Sequence, residues 1–168
     1  MATKKSMWVL FGILVTSAWV LGPAVQVGAE TMKYKLYTYE IKGEMVPVPD
    51  VEGHLVGYGV RGAFYVFENG EVATINHVVI RDFFKEAGTF WQYVTIKFED
   101  GSTIIIKSQG SLGGTEARWE SEIIKGTGRF QGIKGTHAAK AKYLPIEKGE
   151  SGPKGYGEGT ITYTLPSK

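Results

Sequence analysis

From residue 33 to 165 the chain is a succession of eight short runs of alternating or continuous apolar residues, and none carries a helical period. The runs fall at 33–41, 54–67, 71–82, 90–99, 102–109, 116–125, 135–143 and 157–165. Turn signals separate them. Glu68-Asn69-Gly70 and Glu99-Asp100-Gly101 carry the Asn-Gly and Asp-Gly pairs that suit tight hairpins. Consecutive strands of this length joined by short turns form a meander. An eight-stranded meander leaves no unpaired edge if it closes on itself. The expected fold is therefore all-β, a closed antiparallel eight-stranded barrel, with a two-sheet sandwich as the alternative. The longest stretch without pattern, 145–156, is rich in Gly, Glu, Ser and Lys and reads as a mobile surface loop.

Residues 1–29 have the layout of a secretory signal peptide. Lys4 and Lys5 make a basic start, Met7 to Val20 is almost wholly apolar, and Val27-Gly28-Ala29 is a small-x-Ala cleavage site. The expectation is cleavage after Ala29 and a single domain over 30–168, secreted or periplasmic, with no membrane contact after processing. An uncleaved anchor is the competing reading, because the apolar stretch is nearly long enough to span a bilayer. Lys4 and Lys5 are two of 19 basic residues and no acid precedes Glu30, so 30–168 carries 17 basic and 17 acidic residues. That balance argues against nucleic acid as a partner, which calls for a net basic surface. The chain has no cysteine, so its stability rests on its core, and thiol chemistry is excluded.

Alternation predicts which side chains point inward. Glu116, Arg118, Glu120 and Glu122 form a solvent row, which turns Ala117, Trp119, Ser121 and Ile123 inward. The same parity places Gln92, Val94, Ile96 and Phe98 on one face, and Ile104, Ile106 and Ser108 on one face of the next strand. Ile161, Tyr163 and Leu165 lie opposite Thr160, Thr162 and Thr164. No familiar enzyme motif is present. His54, His77 and His137 lie on three different strands without metal-ligand spacing, and each reads as a surface or strand-end residue. There is no G-x-S-x-G elbow, and Gly126-Thr127-Gly128 lacks the Lys-Ser/Thr continuation and helix of a phosphate loop. Neither a cofactor nor a metal is implied. The first strand, Lys33-Tyr34-Lys35-Leu36-Tyr37-Thr38-Tyr39, is explained as an amphipathic strand more simply than as a stacking surface for sugars or bases.

The segment 123–136, Ile-Ile-Lys-Gly-Thr-Gly-Arg-Phe-Gln-Gly-Ile-Lys-Gly-Thr, holds four glycines around Phe130. It reads as a structured hairpin connection with Phe130 as its core anchor. It resembles the I-x-G-G-x-G-x-F-x-G-x-x-G signature of the superfamily that contains the plant allene oxide cyclases and the dirigent proteins, whose fold is a calycin-like barrel. Tyr39-Glu40-Ile41-Lys42-Gly43-Glu44 is similar to the first-strand motif of the cyclases, and 53–60 matches their second strand in spacing. The resemblance implies roles for two residues. Glu40 would help ionise an epoxide at the barrel mouth, and Pro49 would help position a bound water. It also implies a homotrimer. Two departures count against cyclase activity: Lys42 and Val60 replace the asparagines that surround this water in the family. The bland reading of Glu40 is a structural pair with Lys42 or another lysine.

Three functional classes follow. The first, which the sequence favours, is an exported barrel that binds a small apolar molecule. Its pocket would be lined by Val56, Tyr58, Val94, Ile106, Trp119 and Tyr163, with Glu40, Lys42, Gln92 and Ser108 as polar groups. The second is an enzyme, an isomerase or a dirigent-like protein, that steers cyclisation or coupling of an apolar substrate. The third is an interaction protein with a packed interior. An interior cavity of a few hundred cubic ångströms separates the first two from the third.

Overall fold

The computed structural model describes residues 28–150 and 152–167, so the export signal read at 1–29 lies, but for its last two residues, outside them. Eight strands run in chain order: β1 (Glu30–Pro47), β2 (His54–Phe67), β3 (Val72–Phe84), β4 (Ala87–Phe98), β5 (Thr103–Gly113), β6 (Glu116–Thr127), β7 (Lys134–Tyr143) and β8 (Lys154–Thr164). Each pairs antiparallel with the next and β8 returns to β1, closing the barrel, so the sandwich alternative falls. The only helical piece among the described residues is one 3-10 turn, Gly128–Phe130.

All eight expected runs are strands, and the differences lie at their ends. β1 continues to Pro47, paired with β2 as far as Pro47 opposite Leu55, so these two strands form an arm longer than the apolar pattern suggested. β8 begins at Lys154, inside the stretch read as a loop, because the Leu144 amide donates to the Lys154 carbonyl at 2.9 Å and zips the strands together there. A bulge interrupts β1: Glu40 faces Arg61 while Lys42 faces Val60, leaving Ile41 unpaired. Inward parity is kept through Tyr34, Leu36, Thr38 and Glu40, and past the bulge Lys42 points outward.

The interior follows the expected alternation. Ala117, Trp119, Ser121 and Ile123 are buried, as are Gln92, Val94, Ile96 and Phe98, and Ile104, Ile106 and Ser108. One end is plugged by aromatic rings from the strand ends and from the β6–β7 connection. Phe130 sits 4.9 Å from Phe98 and 5.9 Å from Tyr163, centroid to centroid. The Arg129 guanidinium covers Phe98 and Phe130 at 4.7 and 4.8 Å and is held by Glu71 at 2.5 Å. The β6–β7 connection brings Phe130 inward because Gly128 and Gly132 adopt φ of 60° and 77°, a left-handed backbone that side chains disfavour. Replacing Phe130 with leucine is expected to lower stability by about 1–2 kcal/mol, since most of the buried volume is kept while ring contacts are lost. Urea unfolding that leaves the midpoint unchanged would contradict the anchoring role.

Candidate functional site

The opposite end of the interior is built from charged and polar groups. Glu40 (β1), Arg61 (β2) and Arg81 (β3) are each less than a tenth exposed. They meet because each occupies an inward position near the same end of neighbouring strands. Arg81 donates through both Nη atoms to the Glu40 carboxylate. Room for this pair comes from Gly43 and Gly59: a Cβ at either position would collide with Glu40 or Arg81. Arg61 takes neutral partners. Its Nη1 donates to the Tyr143 hydroxyl at 2.8 Å, its Nη2 donates to the Pro153 carbonyl at 3.3 Å, and its Cζ lies 4.7 Å over the Tyr143 ring.

His77 (β3) stands beside this cluster. Its Nδ1 donates to the Gln92 amide oxygen at 2.9 Å, which leaves Nε2 as the lone-pair nitrogen of the neutral ring. Burial first, then the Arg61 and Arg81 charges, push its pKa down to about 4, so the ring is neutral at pH 7. His77, Gln92 and Tyr143, together with Leu36, Thr38, Ala63, Tyr65, Ile75, Phe90 and Trp119, line a cavity of about 20 Å³. That volume admits roughly one water. Among the described residues, three buried nitrogens have no hydrogen-bond partner: Arg61 Nε, His77 Nε2 and Trp119 Nε1. All three belong to this end of the barrel, and two of their side chains line the cavity itself.

A second buried network crosses the waist. Ser121 donates to Ser108 at 2.7 Å, His137 Nδ1 contacts Ser121 Oγ at 2.7 Å, and His137 Nε2 is hydrogen-bonded to Tyr34, whose ring stacks on Tyr65 at 3.9 Å. Every polar atom in this chain has a partner. Burial lowers the His137 pKa to about 4, and burial raises Tyr34 well above the usual tyrosine range and Tyr65 to about 12.

The residues singled out from the sequence fall in five places. Glu40, Gln92 and Trp119 belong to the polar end. Val94 and Ile106 are fully buried in the apolar core, and Ser108 is part of the waist network. Tyr163 lies at the aromatic end beside Phe130 and donates to Glu30 at 2.6 Å. Lys42, Val56 and Tyr58 are on the outside of the β1–β2 arm. Pro49 is exposed in the turn past that arm's end, and the seven residues from Glu40 to the strand end at Pro47 alone span roughly 23 Å at about 3.3 Å per residue, so the two are not brought together.

Two expectations need correcting. Glu40 pairs with Arg81, not with a lysine, because the bulge turns Lys42 outward. His77 and His137 are not surface residues, since both keep the inward parity of their strands. Only His54 is placed near the surface, with Asp82 at 2.6 Å. The cavity at the polar end measures about 20 Å³, below the few hundred that would mark a preformed pocket there. Arg61, Arg81, His77 and Tyr143 were missed, although Arg61 is in phase with Ala63, Tyr65 and Phe67, a signal that alternation carries. No group of three metal-ligating side chains occurs among the described residues.

Solved structures of similar shape set this geometry in context. The pterocarpan synthase dirigent protein GePTS1 superposes with a TM-score of 0.54 at 14% identity, covering 83% of this chain and 92% of that one. The chain shares the barrel fold of this protein. A second pterocarpan synthase dirigent protein, PsPTS1, gives 0.52 at 16% identity over 83% and 97% of the two chains. A DUF3224-family protein of unknown function from Shewanella oneidensis MR-1 gives 0.55 at 14% identity over 83% and 100%. No protein-family model and no curated protein sequence matches the chain. At these identities the likeness concerns the fold of the dirigent-like barrel, and its chemistry rests on its own residues.

Proposed function

We propose that the protein is a binding barrel whose polar end takes a small, mainly apolar molecule, exported as the first residues suggest. One observation carries this reading. The three partnerless buried nitrogens, Arg61 Nε, His77 Nε2 and Trp119 Nε1, gather at one end, around a cavity walled by Leu36, Ile75 and Phe90. A packed barrel with no ligand has no reason to leave polar groups unsatisfied there, because each costs about 1–3 kcal/mol. Apolar walls with a few convergent polar groups are the composition of small-molecule sites. Entry requires Pro153 to withdraw, since its carbonyl covers Arg61. An enzyme that steers cyclisation or coupling of an apolar substrate would use the same end, with the lone pair of His77 as the proton acceptor.

The competing reading, an interaction protein with a filled interior, is favoured by the small cavity and by the outer surface. Tyr37 and Tyr39 on β1, Tyr58 and Phe64 on β2, Trp91 and Tyr93 on β4, and Tyr156 on β8 are each about half exposed. At about 200 Å² per aromatic side chain this exposes on the order of 700 Å², close to one partner's share of a standard interface. The outer faces of β6 and β7 carry charges instead: Glu116, Arg118, Glu120 and Glu122 on β6, and Lys140 on β7, which pairs with Glu158 at 2.9 Å. A homo-oligomer, of which the trimer is the form the sequence resemblance implies, would cover the aromatic face.

Native mass spectrometry of protein purified from its own source tests both readings. A small molecule of a few hundred daltons bound at one per chain is expected, and it should be lost in Trp119→Phe, which removes the indole N–H together with part of the ring system. Ligand-free protein from every preparation, with a fixed oligomeric mass, would sink the binding reading and leave the interaction protein.

A further inference from the structure

Arg61 is 4% exposed, yet no carboxylate pairs with it among the described residues. The Glu40 carboxylate at this end is engaged by Arg81, and His77 is neutral. The polar end therefore holds two guanidinium groups against one carboxylate, a surplus of one buried positive charge. An unpaired buried charge is among the least favourable arrangements in a folded protein, and a guanidinium edge matches a carboxylate in shape and charge. Its present partners are a phenol hydroxyl and a backbone carbonyl, while Nε has none.

The Pro153 carbonyl oxygen marks where an anionic oxygen would sit. It accepts from two donors at once, the Glu40 backbone N–H at 3.1 Å and Arg61 Nη2 at 3.3 Å. A ligand oxygen taking the place of that carbonyl would accept from both donors, and Trp119 lines the neighbouring cavity. The walls beyond are the rings of Tyr65, Phe90, Trp119 and Tyr143.

We propose that the ligand of this site is a small aromatic monocarboxylic acid, bound as its anion with the carboxylate on Arg61 and the ring between these side chains, which must part to admit it because the cavity at rest holds about one water. The inference rests on the reading of the polar end as a ligand site. A monoanion balances the single surplus charge, whereas a doubly charged phosphate would leave a new excess. A charge-assisted contact of this kind is about twice as strong as a neutral one.

Isothermal titration of the full chain with phenylacetate and with phenylacetamide, at equal ionic strength and pH 7.4, tests it. The acid is expected to bind one per chain at least tenfold more tightly than the amide, and to raise the thermal midpoint of the wild type where the amide does not. In Arg61→Gln the preference for the acid over the amide should vanish. Equal affinity for acid and amide overturns the carboxylate inference and leaves the binding site standing. An acid preference that persists in Arg61→Gln overturns the role of Arg61. Failure of both probes to bind the wild type, by heat and by thermal shift, overturns the aromatic-acid inference, and a different co-purifying molecule in native mass spectrometry would still uphold the site.

Discussion

Replacing Glu40 with glutamine lowers the stability of the barrel by about 3–5 kcal/mol, the range for breaking a buried ion pair from one side. The Arg81 guanidinium would stay buried, now without a carboxylate, next to a second cation at Arg61. Arg81→Met alone strands the carboxylate and is expected to cost a similar amount. The double variant Glu40→Leu/Arg81→Met removes both charges, and its loss should be far smaller than the sum of the two singles, because desolvation of the pair largely offsets its attraction. Urea unfolding at pH 7 of all four proteins gives the coupling directly. Single losses below about 1 kcal/mol, or a double loss equal to the sum of the singles, would show that the pair is not the organising contact. A drop this large would also compromise any ligand assay on Glu40→Gln, so Arg61 is the better probe of binding.

The contrast between Glu40 and Arg61 shows how far the sequence could be read. Strand number, chain order and most inward faces follow from period-two alternation and from the Asn-Gly and Asp-Gly turns, because both are local. Phe130 as an anchor is legible for the same reason: glycines that permit a left-handed turn flank an isolated ring. What depends on one extra residue is not legible. The bulge at Ile41 sends Lys42 outside, so a polar pair that looked adjacent in sequence is split between the two faces of the wall. What depends on closure is lost as well. Glu40 and Arg81 stand 41 residues apart and meet only because three neighbouring strands bring inward positions together at one end. Arginine in phase with buried tyrosine and phenylalanine was a usable signal. Its value lies in the mismatch, a charge on an apolar face that has to be neutralised by something.

The barrel should lose stability between pH 6.5 and 4 more steeply than its carboxylates alone would cause. His77 and His137 each have a pKa lowered from 6.5 to about 4 by burial, with the Arg61 and Arg81 charges adding to the effect at His77. In the unfolded chain both take up a proton near pH 6.5, while in the folded barrel neither does until about pH 4. The unfolded state thus binds more protons through this window, and stability falls as pH falls. The contribution is fully present above pH 6.5 and is exhausted below about pH 4. Each histidine accounts for about 3 kcal/mol over the whole range, and for about 1.4 kcal/mol per pH unit near its middle. Few carboxylates titrate between pH 6.5 and 5, so this stretch isolates the histidines. The groups facing them oppose protonation or cannot compensate for it: Arg61, Arg81 and Gln92 surround His77, and Tyr34 and Ser121 hold His137. Urea midpoints measured from pH 8 to 5 should decline by an amount that His77→Gln reduces by about half. A flat profile down to pH 5 would mean that water reaches both rings in the folded barrel.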